Sequence, residues 1–204
     1  RLIRNHAEAV VEGKGEHNLV NMLGYNFRMT EIEAAIGRVQ LGKLKPLAEE
    51  RIKNCTYLAQ RVGKLPGLVF PNVREGATHA YYMQAFLFDE KTVGISRKRF
   101  VDAVKAELPL SDMREKEGVR IVCGYAKPLY LLPLFQRNIA IGGGGWPFTL
   151  SPKVSYAKGM CPIVERLYEK ELVVHELMTP PLTHDDLHDV ACAFEKVYEQ
   201  RKQL

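Results

Sequence analysis

LGYNFRMTEIEAAIGRVQLGKL, spanning Leu23 to Leu44, joins an aromatic and basic turn to an amphipathic helix. Thr30 and Glu33 have the spacing of a capping box, in which each side chain accepts a backbone N–H at the helix start. The spacing therefore predicts a helix that begins at Thr30. Pro46 lacks the N–H that would bond one turn back, so we expect a hinge there within a long helix over residues 30–62. Apolar residues recur at helical intervals along one face of that helix: Ile32, Ile36, Val39, Leu44, Leu47, Ile52, Leu58 and Val62.

The turn ahead of this helix alternates two rings with two polar side chains. Tyr25 and Phe27 are expected to bury on one side, which leaves Asn26 and Arg28 together on the other. A guanidinium and a helix N-terminus both suit a phosphate or a carboxylate. The alternative is a loop in which the arginine pairs with a neighbouring carboxylate, and the residues alone leave both interpretations open.

Composition places the chain among globular proteins and argues against a nucleic-acid binder. The 204 residues carry 29 basic and 24 acidic side chains, for a net charge of +5. Arg97, Lys98 and Arg99 form a basic patch without interleaved aromatics, which we interpret as a solvated helix face. The chain begins with Arg1 and has no apolar run long enough for a signal peptide or membrane span, so we expect a cytoplasmic fragment. Four scattered cysteines indicate reduced thiols.

The rest of the chain alternates strand and helix signals. Such a series with short connections predicts an α+β arrangement, a small sheet with helices on one face. The predicted strands are residues 68–70, 78–89, 119–123 and 172–175, and the predicted helices are residues 96–108, 156–170 and 183–203. Thr183 and Asp186 again have capping-box spacing. His175 is expected to be a buried histidine.

Two further motifs have some features of ligand sites. His184 and His188 in HDDLH are one helical turn apart, a spacing that can place two imidazoles on one metal. A zinc protease would need Glu at position 185 and a third ligand, so we expect no metal. The glycines at 142–145 lack the Lys-Ser/Thr ending of a phosphate loop, and Gly13–Gly15 is expected to be a surface turn.

Several segments resemble a known family. GYNFRMTEIEAAIGRVQLGKL is similar to the signature of the DegT/DnrJ/EryC1/StrS sugar aminotransferases, which are pyridoxal-phosphate enzymes of fold type I. Other segments agree in order: IRNHA at Ile3–Ala7, THAYYMQAFLFD, GYAKPLYLLPLF, YAKGMCPIVERLYEKELVVHE and PPLTHDDLHDVACAFEKVYE. The resemblance implies three parts: residues 1–29 end the large cofactor domain, 30–62 form the connecting helix, and 63–204 form a C-terminal small domain with an antiparallel sheet.

The resemblance also assigns site residues. The cofactor lysine of the family lies upstream of IRNHA and is absent here, since Lys14 falls in the wrong context; no catalytic residue is therefore assigned. Asn26 and Arg28 match the family motif and would reach the cofactor phosphate of a neighbouring subunit in a homodimer. The region of Tyr125 and Tyr130 lines the substrate opening in the family, so both are candidate contacts.

The function that follows is transfer of an amino group, from glutamate or glutamine to a keto-sugar, a nucleotide-linked keto-sugar or a cyclitol. This fragment alone is expected to be inactive because it lacks the lysine. The alternatives are a non-catalytic dimerisation or interaction domain, or a dehydratase relative within the same family.

Overall fold

The computed structural model describes residues 24–109, 118–140, 143–151 and 153–204. By compactness the chain divides into two units, Arg1–Leu47 and Ala48–Leu204. Within these described ranges, no helix is both long and apolar enough to cross a membrane.

The long predicted helix is present as α1, Glu31–Val62. It is not broken at Pro46, which lies inside it, although the boundary between the two units follows directly at Leu47 and Ala48. The proline removes one N–H donor and crowds one carbonyl group, but the helix continues past it. The predicted hinge therefore stays a prediction, and so does the division into three parts.

The second unit is built on a four-stranded antiparallel sheet. Its strands are β1 (Leu68–Val69), β2 (Gln84–Phe88), β3 (Ile121–Cys123) and β4 (Leu172–His175), in the order β1-β2-β4-β3. The register pairs Phe86 with Val173 and Gln84 with His175 across β2 and β4. Ile121 of β3 pairs with the same His175. The predicted small antiparallel sheet is confirmed.

Further helices lie between these strands and after the last of them. They are α2 (Glu90–Val93), α3 (Arg97–Glu107), α4 (Pro133–Gln136), α5 (Pro162–Arg166) and α6 (His184–Gln200). A π-helical turn, Leu167–Glu171, joins α5 to β4, and short 3-10 turns lie at Leu129–Leu131, Phe148–Leu150 and Arg201–Gln203. Thr183 caps α6 in the predicted box with Asp186, and Ser96 caps α3.

Two predicted elements are shorter than expected, for local reasons. The strand predicted over 78–89 begins only at Gln84, because Tyr81 adopts a left-handed φ of 49° that interrupts extended backbone. The helix predicted over 156–170 begins only at Pro162, which occupies its first turn after Gly159 with φ 99°.

The core lies on one face of the sheet. Phe86, Val173 and Ile121 on that face are at most 1% exposed. The second half of α1, together with α3 and α6, supplies the helical side of this core through residues such as Leu58, Phe100 and Phe194. Burial of each such side chain stabilises the fold by about 2 kcal/mol. The predicted layer of helices on one side of a small sheet is therefore present.

Arg97 corrects the expectation for the basic patch. It is 7% exposed, and its guanidinium donates to the carbonyl oxygens of Leu167, Tyr168, Glu169 and Leu172. Lys98 and Arg99 remain exposed. The planar fork of five donors suits a helix end, where several carbonyls lose their partners, so Arg97 closes the end of the π-helical turn.

Candidate active-site elements

The Asn26–Arg28 turn lies in the first unit, directly ahead of α1. Both side chains belong to exposed residues, and Asn26 Oδ1 accepts the backbone N–H of Arg28 at 3.4 Å. Tyr25 and Phe27 stack with ring centroids 5.3 Å apart, yet they are 57% and 61% exposed. The prediction that these two rings are buried is therefore wrong, because no described residue of this chain covers them.

The start of α1 is closed by its own cap. Glu33 Oε2 accepts the Thr30 N–H at 2.8 Å, and Thr30 Oγ1 accepts the Glu33 N–H at 3.3 Å. The Thr30 N–H bond lowers the pKa of Glu33. Glu31 is a second carboxylate in the first turn. These carboxylates already interact with the positive end of the helix dipole. The helix start therefore attracts a bound anion less strongly than its position suggests.

Phosphate binding at this turn would therefore depend on Arg28 and Asn26. A guanidinium supplies a charged, forked donor and an amide supplies two more N–H groups. Two exposed donor groups two residues apart fit a phosphoryl group that approaches from solvent. The donor set fits such a group without help from the helix dipole.

The apolar stripe of α1 divides into an uncovered and a covered half. In the first half the large apolar side chains are exposed, from 48% at Leu47 to 75% at Ile32. In the second half Cys55, Leu58 and Val62 are at most 1% exposed within the core of the second unit. The sequence predicted the apolar stripe but not that its first half is exposed.

Tyr130 is buried in the second unit. It is 8% exposed, and its hydroxyl donates a short hydrogen bond to the carboxylate of Glu165, which is buried on α5. Gly159 N donates to the same oxygen at 2.6 Å. Burial and the Glu165 hydrogen bond raise the pKa of Tyr130 to about 12. Because Glu165 holds the Tyr130 hydroxyl in this way, the geometry does not favour the direct substrate contact that was expected of Tyr130.

Tyr125 lies in a different environment. It is 52% exposed, and a hydrogen bond to the Tyr82 hydroxyl raises its pKa. The chain reaches it through Gly124, where a Cβ would lie 2.8 Å from the Tyr168 carbonyl oxygen and where φ is 71°. Glycine is therefore required at this exit from β3, which fixes how the backbone presents Tyr125.

The segment that carries both tyrosines is anchored by groups that sequence reasoning missed. Gln136 Nε2 donates to the carbonyl oxygens of Tyr130 and Tyr156 at 2.7 Å each. Phe135, Phe148 and Tyr156 form a cluster with ring centroids 5.2–5.8 Å apart. The partners of Gln136 and Glu165 are up to 35 residues away, and no local pattern signals them.

Of the remaining motifs, the His184 and His188 pair and Gly143–Gly145 lie within the described residues. His184 packs its ring 5.2 Å from that of Tyr57. Where the structure describes the chain, it holds no group of three His, Cys, Asp or Glu residues that could bind a metal. Gly143–Gly145 forms a turn. The IRNHA segment, Lys14 and Gly13–Gly15 lie outside the described residues, as does Gly142.

Comparison with known proteins gives consistent results. The family model described as the DegT/DnrJ/EryC1/StrS aminotransferase family matches residues 1–195. An uncharacterized protein of Methanocaldococcus jannaschii is 24% identical over 191 residues, covering 94% of this chain and 42% of that protein. The spore coat polysaccharide biosynthesis protein SpsC of Bacillus subtilis is 23% identical over 167 residues, covering 82% of this chain and 36% of that protein.

A solved structure shows the same fold. The X-ray structure of an aminotransferase from Psychrobacter cryohalolentis superimposes with a TM-score of 0.64 at 20% identity. The match covers 97% of this chain and 47% of that one. The chain thus spans less than half the length of each of these three proteins.

Proposed function

The chain belongs to the DegT/DnrJ/EryC1/StrS aminotransferase family, and from this we propose that it is the C-terminal portion of a pyridoxal-phosphate-dependent aminotransferase. The intact enzyme would move an amino group from glutamate or glutamine to a keto-sugar, a nucleotide-linked keto-sugar or a cyclitol. Similarity to SpsC, whose name places it in polysaccharide biosynthesis, supports a sugar acceptor. The fragment alone would be inactive, because the family's cofactor lysine lies upstream of it.

The observation that carries this proposal is the exposed pair of Asn26 and Arg28 ahead of α1. We assign both to the phosphate of the cofactor bound by a neighbouring subunit. Pyridoxal phosphate, when bound, supplies the electron sink for the transfer of the amino group. Arg28 and Asn26 would hold and orient it by hydrogen bonds and charge, at a distance from the atoms that react.

The proposal gives Tyr125 and Tyr130 different roles. The exposed Tyr125 hydroxyl, paired with that of Tyr82, would contact the acceptor substrate. Tyr130, tied to Glu165, would instead hold the segment that presents Tyr125. A phenol suits a polyhydroxylated substrate, because it offers both an apolar ring face and a hydrogen-bonding group.

We also assign a homodimer and a cytoplasmic location to the intact enzyme. The exposed first half of the α1 stripe, which includes Ile32, Ile36 and Val39, supports burial of this face in the assembled protein. All four cysteines, each within the described ranges, are free thiols, which is typical of a reducing compartment.

The test is replacement of Arg28 in the intact enzyme. Losing a charged donor to phosphate removes about 1.5–3 kcal/mol, so Arg28→Ala should weaken cofactor binding by about ten- to a hundredfold. Cofactor retention is measured by the visible absorbance of the protein after dialysis against buffers with decreasing concentrations of the cofactor. The rate at saturating cofactor should change much less than the binding constant, since Arg28 would touch no reacting atom.

Arg38→Ala is the matched control. Arg38 is an exposed arginine on α1, so its removal changes the net charge equally while leaving the turn intact. Equal cofactor retention by Arg28→Ala and Arg38→Ala would exclude the assigned role. Amino transfer by the intact parent to a panel of keto-sugars and cyclitols, followed by mass spectrometry, tests the reaction itself.

A further inference from the structure

An ion pair between Arg120 and Glu176 lies in the second unit, and the proposed function does not use it. Arg120 directly precedes β3, and Glu176 directly follows β4. These strands are antiparallel neighbours with Ile121 opposite His175, so the register brings the two charged residues together. Arg120 Nη2 lies 2.8 Å from Glu176 Oε1, and the Glu176 N–H donates to the Arg120 carbonyl oxygen at 2.9 Å. Bonds of the side chains and of the backbone therefore hold the pair in place.

The two members of the pair differ in how far solvent reaches them. The Arg120 side chain is 38% exposed, whereas the Glu176 side chain is only 11% exposed. Side chains alternate along β3, so Arg120 lies on the side of the exposed Val122, opposite the core residue Ile121. The guanidinium is therefore the group that a ligand can contact, and the carboxylate behind it holds it in position.

Tyr82 and Tyr125 bring two hydroxyl groups close to this ion pair. The two tyrosines are 73% and 52% exposed, and the hydrogen bond between them is the largest cause of the raised pKa of Tyr125. The charges of Glu176 and Arg120 act on the same hydroxyl, where Glu176 raises the pKa and Arg120 lowers it. Two phenols, a guanidinium and a carboxylate thus form one polar surface.

The balance of charge on this surface favours an uncharged ligand that is rich in hydroxyl groups. Glu176 offsets the positive charge of Arg120, which reduces the attraction of the guanidinium for a phosphate. A phosphate bound to Arg120 would also lie close to the Glu176 carboxylate, and two negative charges at short range repel each other. A hydroxyl group both donates and accepts hydrogen bonds, so it fits a surface that offers phenols, a guanidinium and a carboxylate.

We propose that Arg120, held by Glu176, binds ring hydroxyl groups of the acceptor together with Tyr82 and Tyr125, and that this surface selects an uncharged cyclitol or sugar ring over a phosphorylated one. The inference rests on the proposed function, which assigns Tyr125 to the acceptor. Arg120 is the contact residue. Glu176 is a positioning residue, because it acts through the guanidinium that it orients and whose charge it offsets.

The test titrates the intact enzyme, with its cofactor bound, with myo-inositol and separately with myo-inositol 1-phosphate. The two probes share one ring and differ by a phosphate, and neither has a keto group that could react. Carbon-13 labels in the tyrosine rings report binding at this surface, and Tyr82→Phe and Tyr125→Phe assign the two signals. We expect myo-inositol to shift both signals with a dissociation constant about fivefold lower than that of the phosphorylated ring, the effect of one charge repulsion at a solvated surface.

Glu176→Gln separates the charge of this side chain from its shape. The variant keeps a side chain of the same size and leaves Arg120 without the Glu176 carboxylate. It should tighten binding of myo-inositol 1-phosphate by about fivefold without tightening that of myo-inositol, a change of preference that a general loss of structure would not produce. Glu171→Gln is the matched control, because Glu171 directly precedes β4 and pairs with Arg166 at 3.1 Å. It removes the same charge from another Arg–Glu pair and should leave both dissociation constants unchanged.

Arg120→Leu and Tyr82→Phe test the contacts with the ring. Loss of the guanidinium should weaken binding of myo-inositol by about tenfold, and loss of the neutral Tyr82 hydroxyl should weaken it by about threefold. The Tyr82 side chain is largely exposed, so Tyr82→Phe should leave the fold intact and gives a decisive result even if a variant of the ion pair does not fold.

Each outcome supports or overturns the proposal. It is overturned if myo-inositol 1-phosphate shifts the tyrosine signals at the same concentration as myo-inositol, or if neither probe shifts them. Equal effects of Glu176→Gln and Glu171→Gln would overturn it as well, and so would parent-like binding of myo-inositol in Tyr82→Phe. Cofactor retention in Arg28→Ala tests the proposed function independently, so failure of one can be distinguished from failure of the other.

Discussion

His175 makes the stability of the second unit sensitive to acid. This residue ends β4 and is 2% exposed, with the rings of Phe86 and Phe194 each 6.2 Å from its own. Its Nδ1 accepts the backbone N–H of Leu177 at 3.3 Å. Burial lowers its pKa to about 3, because a charged imidazolium would lose its hydration.

The sign and size of the effect follow from the two pKa values. In the unfolded chain His175 titrates at about 6.5, whereas in the fold it stays neutral down to about pH 3. Its contribution to stability is therefore complete above pH 6.5 and declines as the pH falls, since the unfolded state alone binds the proton. Between about pH 7.5 and pH 5 the free energy of unfolding should fall by about 2 kcal/mol from this residue.

The assay compares the parent with His175→Asn by urea denaturation at several pH values. The asparagine of the variant does not titrate, and its side-chain oxygen can still accept the Leu177 N–H. The variant should be less stable near pH 7.5, because the smaller side chain leaves a cavity in the core. The difference between parent and variant should shrink by about 2 kcal/mol towards pH 5, since only the parent loses stability through this group.

Other titrating groups cancel in that difference, which makes the comparison specific. Parallel pH profiles for the two proteins would refute the reasoning, because they would show that His175 is protonated equally in both states. A direct check is the pH dependence of the His175 ring signals by NMR. Titration of these signals near pH 6.5 in the folded protein would contradict the assigned burial effect in the same way.

Two further predictions concern the helix ends. Arg97→Met should lower the free energy of unfolding by about 2–4 kcal/mol, because four carbonyl oxygens lose the Arg97 donors and only those of Leu167 and Leu172 keep a backbone N–H. Arg99→Met on the exposed side of α3 should change it by less than about 0.5 kcal/mol, and equal losses in urea denaturation would exclude the capping role. Thr183→Ala should lower the free energy of unfolding by about 1 kcal/mol, because the α6 capping box is lost, whereas Thr183→Ser should retain most of the stability. A thermal melt in which both variants match the parent would show that the capping box does not contribute to stability.

Local patterns predicted much of the fold. Both capping boxes form as their spacing indicated, at Thr30 with Glu33 and at Thr183 with Asp186. The strand at residues 172–175 was predicted with its observed bounds. These features depend on residues a few positions apart, so the chain encodes them without reference to the rest of the structure. The predicted start of a strand was wrong where one residue adopts a left-handed backbone conformation, as Tyr81 does before β2.

The candidate site was predicted less completely. The sequence placed Asn26 and Arg28 together on one side of the turn, opposite Tyr25 and Phe27, but these two rings are exposed rather than buried. Tyr125 and Tyr130 could not be told apart by composition, since both lie in one apolar segment. Only the hydrogen bond from Tyr130 to Glu165, a residue 35 positions away, separates a structural tyrosine from an exposed one.

By itself the sequence determined the capped starts of α1 and α6, the bounds of β4 and which family the chain resembles, because these depend on short-range spacing and on motifs read in order. Tertiary structure alone decided the partners of Arg97, Glu165 and His175. A side chain's charge, tautomer and availability depend on which distant groups pack against it, and the fold brings those groups together.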